Sequence, residues 1–237
     1  MTAKDRLIVA LDVKTREEVS SLVGLLSPHV GFFKVGLELM TGVGASQVVR
    51  QIHELGGKVF LDGKFNDIPN TVGAAAREAA ALGVSMFNVH AAAGLEAMKA
   101  AVQNKGKALC LAVTVLTSLD DQAAMQIFGH SVADRVVYFA KQALIAGVDG
   151  IVCSPMDLKG LSNEASLKKL IKVTPGVRPL WASPNDQRRH MGPGEAVAAG
   201  ADYLVIGRPI TAPPADIATP VLAAQKIVQE IEQIHHE

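Results

Sequence analysis

Eight short apolar runs alternate with helical patterns along the whole chain, and this alternation restricts the possible folds more than any other feature. The runs span residues 7–13, 31–36, 58–61, 84–90, 108–115, 148–153, 171–174 and 203–206. They are bounded by Gly, Pro, Asp or Ser and show little polar alternation, the pattern of parallel strands covered on both faces. Helical patterns lie between and after them, at residues 16–26, 46–55, 71–82, 95–103, 131–146, 194–199 and 220–234. Several of these end at a glycine, Gly56, Gly83, Gly147 and Gly200, a common helix stop. This order, in 237 residues, predicts an α/β protein made of a single (β/α)8 TIM barrel, one domain over residues 1–237. An open doubly wound sheet is the competing architecture, but it would place a Gly-rich phosphate turn after the first strand. That strand instead runs into Leu11-Asp12-Val13-Lys14. Gly42-Val43-Gly44 lacks a third glycine at the required spacing and reads as a turn before a helix.

Charge narrows the function classes. Lys plus Arg total 23 and Asp plus Glu total 23, so no basic field suggests nucleic acid. No apolar stretch reaches the roughly 18 residues that span a membrane. The chain enters its first strand-like run almost at once, so no signal peptide is expected and the reading is cytoplasmic. Cys110 and Cys153 sit inside apolar runs and read as buried thiols, not as a disulfide framework.

Barrels of this kind carry their active sites at the C-terminal ends of the strands. The polar residues expected there are Asp12, Lys34, the set Asp62-Gly63-Lys64 with Asp67 beyond it, Asn88 and His90, Thr114 and Thr117, Thr174 and Arg178, and Gly207-Arg208. On an extended chain Asp62 and Lys64, two apart, would point the same way. With Lys34 from the neighbouring strand they would form a compact Lys–Asp–Lys group. A salt-bridge cluster plugging the barrel is the structural alternative. Buried charges are costly unless paired, so a functional group at the mouth explains them better. After strand eight, Gly207 allows close backbone approach and Arg208 offers a forked grip, together a candidate phosphate site. His90 reads as a structural histidine at the rim. The other histidines are scattered and form no ligand pattern, so no metal is expected.

Taken together, Val9-Ala-Leu-Asp12, Phe33-Lys34-Val-Gly36, Asp62-x-Lys64-x-x-Asp67-Ile-Pro-Asn-Thr71, Asn88-Val-His90-Ala, Thr114-Val-Leu-Thr-Ser118, Val173-Thr-Pro-Gly-Val-Arg178-Pro and Val205-Ile-Gly-Arg208-Pro resemble the bacterial orotidine 5′-monophosphate decarboxylases. The resemblance runs from Leu7 to about Ile210. It implies conversion of orotidine 5′-monophosphate (OMP) to UMP without a cofactor, the last step of de novo UMP synthesis. It implies that Lys64 donates a proton to the ring carbon that loses carbon dioxide, and that Asp62 faces the departing carboxylate. Lys34 and Asp67 complete the charge network. By the same resemblance, Asp67 and Thr71 would come from the partner of a homodimer with shared sites. Asp12 and Lys34 hold the ribose and Thr117 meets the pyrimidine. Gln187, Gly207 and Arg208 hold the phosphate, with Arg178 nearby. The stretch Gly63, Lys64, Phe65, Asn66, Asp67, Ile68, Pro69, Asn70, Thr71 lines the substrate. The chain departs from the family at Gly63, usually apolar, at Asn66, often His, and at Ala92, commonly Ser. Residues 180–194, with Trp181 and the charged set Asp186-Gln187-Arg188-Arg189, are the natural lid.

Two other functions fit parts of the pattern. A sister decarboxylase or aldolase would hold Mg²⁺ with an acidic residue after strand two, where this chain has Lys34, although Glu38 lies close by. A catalytically dead phosphate-binding barrel draws support only from Gly63 and Asn66.

Overall fold

The computed structural model describes residues 1–182 and 191–234. Its strands are β1 (Leu7–Ala10), β2 (Phe32–Val35), β3 (Val59–Phe65), β4 (Met86–His90), β5 (Leu109–Val113), β6 (Gly150–Val152), β7 (Ile171–Pro175) and β8 (Tyr203–Ile206). They form a closed parallel barrel in sequence order, β1 to β8, as the alternation predicts. The helices are α1 (Arg16–Leu26), α2 (Leu37–Leu39), α3 (Ala45–Glu54), α4 (Pro69–Ala81), α5 (Leu95–Asn104), α6 (Asp121–Phe128), α7 (Val132–Ala146), α8 (Leu158–Ser162), α9 (Pro193–Ala198), α10 (Arg208–Thr211) and α11 (Pro220–Gln233). By contacts the chain divides into two compact units, Met1–Gly63 with Thr174–Glu237, and Lys64–Val173.

In the first unit, β1 is buried along its whole length, and Leu7, Ile8 and Val9 are fully excluded from solvent. Parallel pairing sets Ala10 beside Lys34 and Lys34 beside Phe60. Helix α1 starts where Thr15 accepts the Glu18 N–H and the Glu18 carboxylate accepts the Thr15 N–H, a reciprocal cap that satisfies two end donors. Its buried face is Val19, Leu22, Val23 and Leu26, the i, i+3, i+4, i+7 stripe of a helix laid on a sheet.

In the second unit, Pro69 takes the first turn of α4, where its missing N–H goes unneeded. Helices α4 and α5 lie close because α4 presents small residues. A Cβ at Gly73 would come within 3.5 Å of the Ala100 Cβ. Ser131 caps α7 by accepting the Asp134 N–H, and Gly147 ends it in the left-handed conformation at φ 81°. Cys110 and Cys153 are buried, as expected, and burial pushes the Cys110 thiol up to about 12.

Several features depart from the sequence expectation, among them the short helices α2, α8 and α10. Strand β3 does not stop at Leu61 but continues to Phe65. Residues 40–44 form one turn of π-helix that runs straight into α3, in place of a simple turn. Helix α6 is absent from the expected set. Its end signals are present, since Asp120 accepts the Ala123 N–H and Gly129 closes it at φ 71°. Only Ala124 is buried within it. Among the described residues no helix is long and apolar enough to cross a membrane.

Candidate active site

The first unit assembles a charged cluster from three strand ends. Leu11 N–H donates to the Lys34 carbonyl, which extends the β1–β2 ladder to the threshold of Asp12. The Lys34 ammonium then lies 3.3 Å from Asp12 Oδ1 and 3.4 Å from Asp62 Oδ2. Lys34 and Asp62 are largely buried, with side chains 12% and 11% exposed, whereas the Asp12 side chain is 60% exposed. One cation is therefore shared by a buried and an open carboxylate. Pairing of this kind is what lets charge persist away from water. The glycines around it leave close clearance. A Cβ at Gly36 would sit 3.0 Å from Lys34 Nζ, and one at Gly207 would sit 3.3 Å from Asp12 Oδ2. Of the Lys34–Asp62–Lys64 group expected from the sequence, the first unit contains the Lys34–Asp62 pair, and Asp12 joins it.

The same unit carries the arginines. Arg208 is exposed, directly after Gly207 at the end of β8. Arg178 is only 6% exposed, and among the described residues its Nη1 has no hydrogen-bond partner. A guanidinium nitrogen of this kind is able to donate to an anion. The Arg178 N–H donates to the Met191 carbonyl at 3.0 Å, one restraint on its backbone. Gln187 and the charged set around it lie outside the described residues.

The second unit begins at Lys64. Among the described residues this is the only non-glycine residue with positive φ, at 49°. A left-handed residue breaks the pleat. Its conformation is secured by Asn88, a fully buried side chain on β4 whose Oδ1 accepts the Lys64 N–H at 2.7 Å. Phe65 follows, its ring centroid 5.9 Å from that of Phe87. Sequence reasoning placed Asn88 at a strand end but missed this bracing role. An amide between apolar neighbours on a buried strand was the available signal.

Beyond β3 the motif reaches the surface. Asn66, Asp67, Ile68, Pro69, Asn70 and Thr71 are all exposed. Asp67 Oδ1 accepts the Ile68 N–H at 2.7 Å, and Ile68 is 66% exposed. Thr117 is exposed in the segment after β5, whereas Thr114 is buried and donates to the Val152 carbonyl at 2.9 Å. His90 ends β4, half-buried.

Comparison with known proteins bears directly on this arrangement. Residues 5–227 match the family described as Orotidine 5'-phosphate decarboxylase / HUMPS family. Orotidine 5'-phosphate decarboxylase of Moorella thermoacetica is 49% identical over 245 residues, covering 99% of this chain and 95% of that one. The enzyme of the same name from Syntrophomonas wolfei subsp. wolfei is 46% identical, covering 98% of this chain and 100% of that one. Among solved structures, Orotidine 5'-phosphate decarboxylase from Lactobacillus acidophilus superposes with a TM-score of 0.81 at 33% identity, covering 95% of this chain and 98% of that one.

Proposed function

The chain belongs to the orotidine 5'-phosphate decarboxylase family, and from that premise we propose how its residues convert OMP to UMP. The observation that carries the reading is Lys34, an ammonium held between Asp12 and Asp62. A Mg²⁺-dependent sister enzyme would need a carboxylate in its place, and a fixed cation there repels a divalent ion.

Breaking the bond between the ring and its carboxylate releases carbon dioxide and leaves an electron pair on the ring carbon. The Lys64 ammonium stabilises that charge and delivers the proton that completes UMP. The left-handed backbone at Lys64 is the kind of local strain that the surrounding structure sustains where geometry matters to chemistry. Asp62 stands against the substrate carboxylate, and the repulsion between them falls as carbon dioxide leaves. Asp12 and Lys34 hold the ribose hydroxyls, and Thr117 meets the pyrimidine. Arg208, Gly207, Gln187 and Arg178 take the phosphate. The Nη1 of Arg178, which has no hydrogen-bond partner among the described residues, supports that assignment. Phosphate binding lies away from the reacting bond, so its energy orients the ring and contributes to turnover as well as to affinity.

The active unit is a homodimer in the cytoplasm, with Asp67 and Thr71 entering the partner's site. The exposed carboxylate of Asp67 beside the exposed Ile68 suits a rim that a second copy covers. Carbon dioxide release from OMP in excess EDTA tests the whole reading. Undiminished turnover is expected, and turnover restored only by Mg²⁺ would assign the chain to the metal-dependent branch. Arg208→Ala should raise KM for OMP while leaving the slow turnover of phosphate-free orotidine unchanged. Equal losses on both substrates would place Arg208 outside the phosphate site.

A further inference from the structure

We infer that Glu230, on the C-terminal helix α11, is a positioning residue for phosphate binding that acts through Trp181. The inference rests on the reading that Arg178 and Arg208 take the phosphate.

The chain between β7 and α9 is fastened at both ends to one turn of α11. On the outgoing side, Trp181 Nε1 donates to Glu230 Oε1 at 2.8 Å. The Lys226 ammonium lies 5.7 Å from the centre of the Trp181 ring, one helical turn before Glu230. On the returning side, Gly194 backs onto the same turn. A Cβ there would come within 2.9 Å of the Glu230 carbonyl oxygen and 2.6 Å of Ile234 Cδ1. Glu230 therefore touches both ends, through its carboxylate on one and its backbone on the other. Between them, Arg178 N–H to Met191 O and the Val177–Met191 bridge tie the outgoing and returning strands together.

Only two residues, Pro179 and Leu180, separate Arg178 from Trp181. The turn joining them is closed by the Ala182 N–H donating to the Pro179 carbonyl, and its Leu180 is 89% exposed. Apolar packing through Leu180 cannot hold such a turn. Pro179 and Ala182 are buried and pack the turn, the Trp181–Glu230 hydrogen bond adds the directional restraint, and drift at Trp181 carries through the turn toward Arg178. A carboxylate also has a cost at this place. Glu230 is half-buried, and desolvation raises its pKa against the opposing effects of Trp181 and Lys226. A leucine would pack there without that cost, so what the acid adds is direction.

The test combines kinetics with the emission of Trp181, the only tryptophan in the chain. Glu230→Ala should raise KM for OMP roughly tenfold, the effect of losing one hydrogen bond to a charged group. Its kcat should change less, and turnover of phosphate-free orotidine should stay at the wild-type value. Glu230→Gln keeps an acceptor for the indole and should restore KM. Trp181→Phe keeps an aromatic ring without the donor and should reproduce the Glu230→Ala effect, with the double variant no worse than either single one. UMP should shift Trp181 emission in wild type and Glu230→Gln, and not in Glu230→Ala. A wild-type KM in Trp181→Phe, equal losses on OMP and orotidine, or additive effects in the double variant would each overturn the proposal. If Glu230→Ala fails to fold, Trp181→Phe and Glu230→Gln still decide it. Arg208→Ala separates this inference from its premise, because an unchanged KM for OMP there would remove the phosphate reading itself.

Discussion

Lys64 is unusual before any chemistry is assigned to it. A side-chain-bearing residue in the left-handed region costs about 1–2 kcal/mol, and here the buried Asn88 amide holds it in place. Glycine has no such penalty. Lys64→Gly should therefore be more stable than Lys64→Ala by about 1 kcal/mol, although both lose the same ammonium. Urea midpoints of the two variants measure the difference, and equal midpoints would mean that the backbone is unstrained. Both variants should bind UMP and release almost no carbon dioxide. A rate loss of only one decade, about 1.4 kcal/mol, would mean that another group donates the proton. Asn88→Ala leaves the Lys64 N–H without its acceptor and should destabilise the fold by about 1–3 kcal/mol. It should also slow turnover, because the donor's backbone is released. The Lys64 conformation was not legible in the sequence, since it follows from a hydrogen bond across 24 positions.

At the scale of elements, most boundaries follow from local rules. Helix α1 runs over residues 16–26 as expected, because its cap and apolar stripe agree. Thr15→Ala removes half of the reciprocal cap and should cost about 1 kcal/mol in thermal or urea unfolding, with the kinetics untouched. Where local signals conflict, sequence reasoning stops short. Gly63 after Asp62 marks a strand end by composition, yet β3 continues for two further residues and Phe65 packs on Phe87. Helix α6 shows the reverse case, caps without a buried face.

For the whole molecule, the shared-site dimer makes the sharpest forecast. Lys64→Ala and Asp67→Ala are each expected to be inactive. If Asp67 works in the partner's site, a mixed dimer has one site with both residues intact and one lacking both. A statistical mixture is half mixed dimer, so activity should return to about a quarter of wild type if the sites are independent. No recovery, with subunit exchange confirmed by mass spectrometry, would show that Asp67 serves its own chain. Thiol labelling gives a second measurement on the intact fold. Cys110 is fully buried and its thiol is pushed up to about 12, so the folded protein should resist iodoacetamide at pH 8 and react only on unfolding.

The sequence by itself determined the barrel, because eight apolar runs with intervening helices bury their faces in few other ways. It also determined which residue types stand at the strand ends, since motif order fixes Asp12, Lys34, Asp62 and Arg208 relative to the strands. Tertiary structure alone decided how those groups are held. The placing of one ammonium between Asp12 and Asp62 depends on parallel register between β1, β2 and β3. The left-handed turn at Lys64 depends on an amide from β4, and the footing of Trp181 on Glu230 spans 49 positions. Periodicity and caps are short-range and leave a trace in neighbouring residues. A hydrogen bond between distant residues leaves none, and only the closed chain brings its two ends within reach.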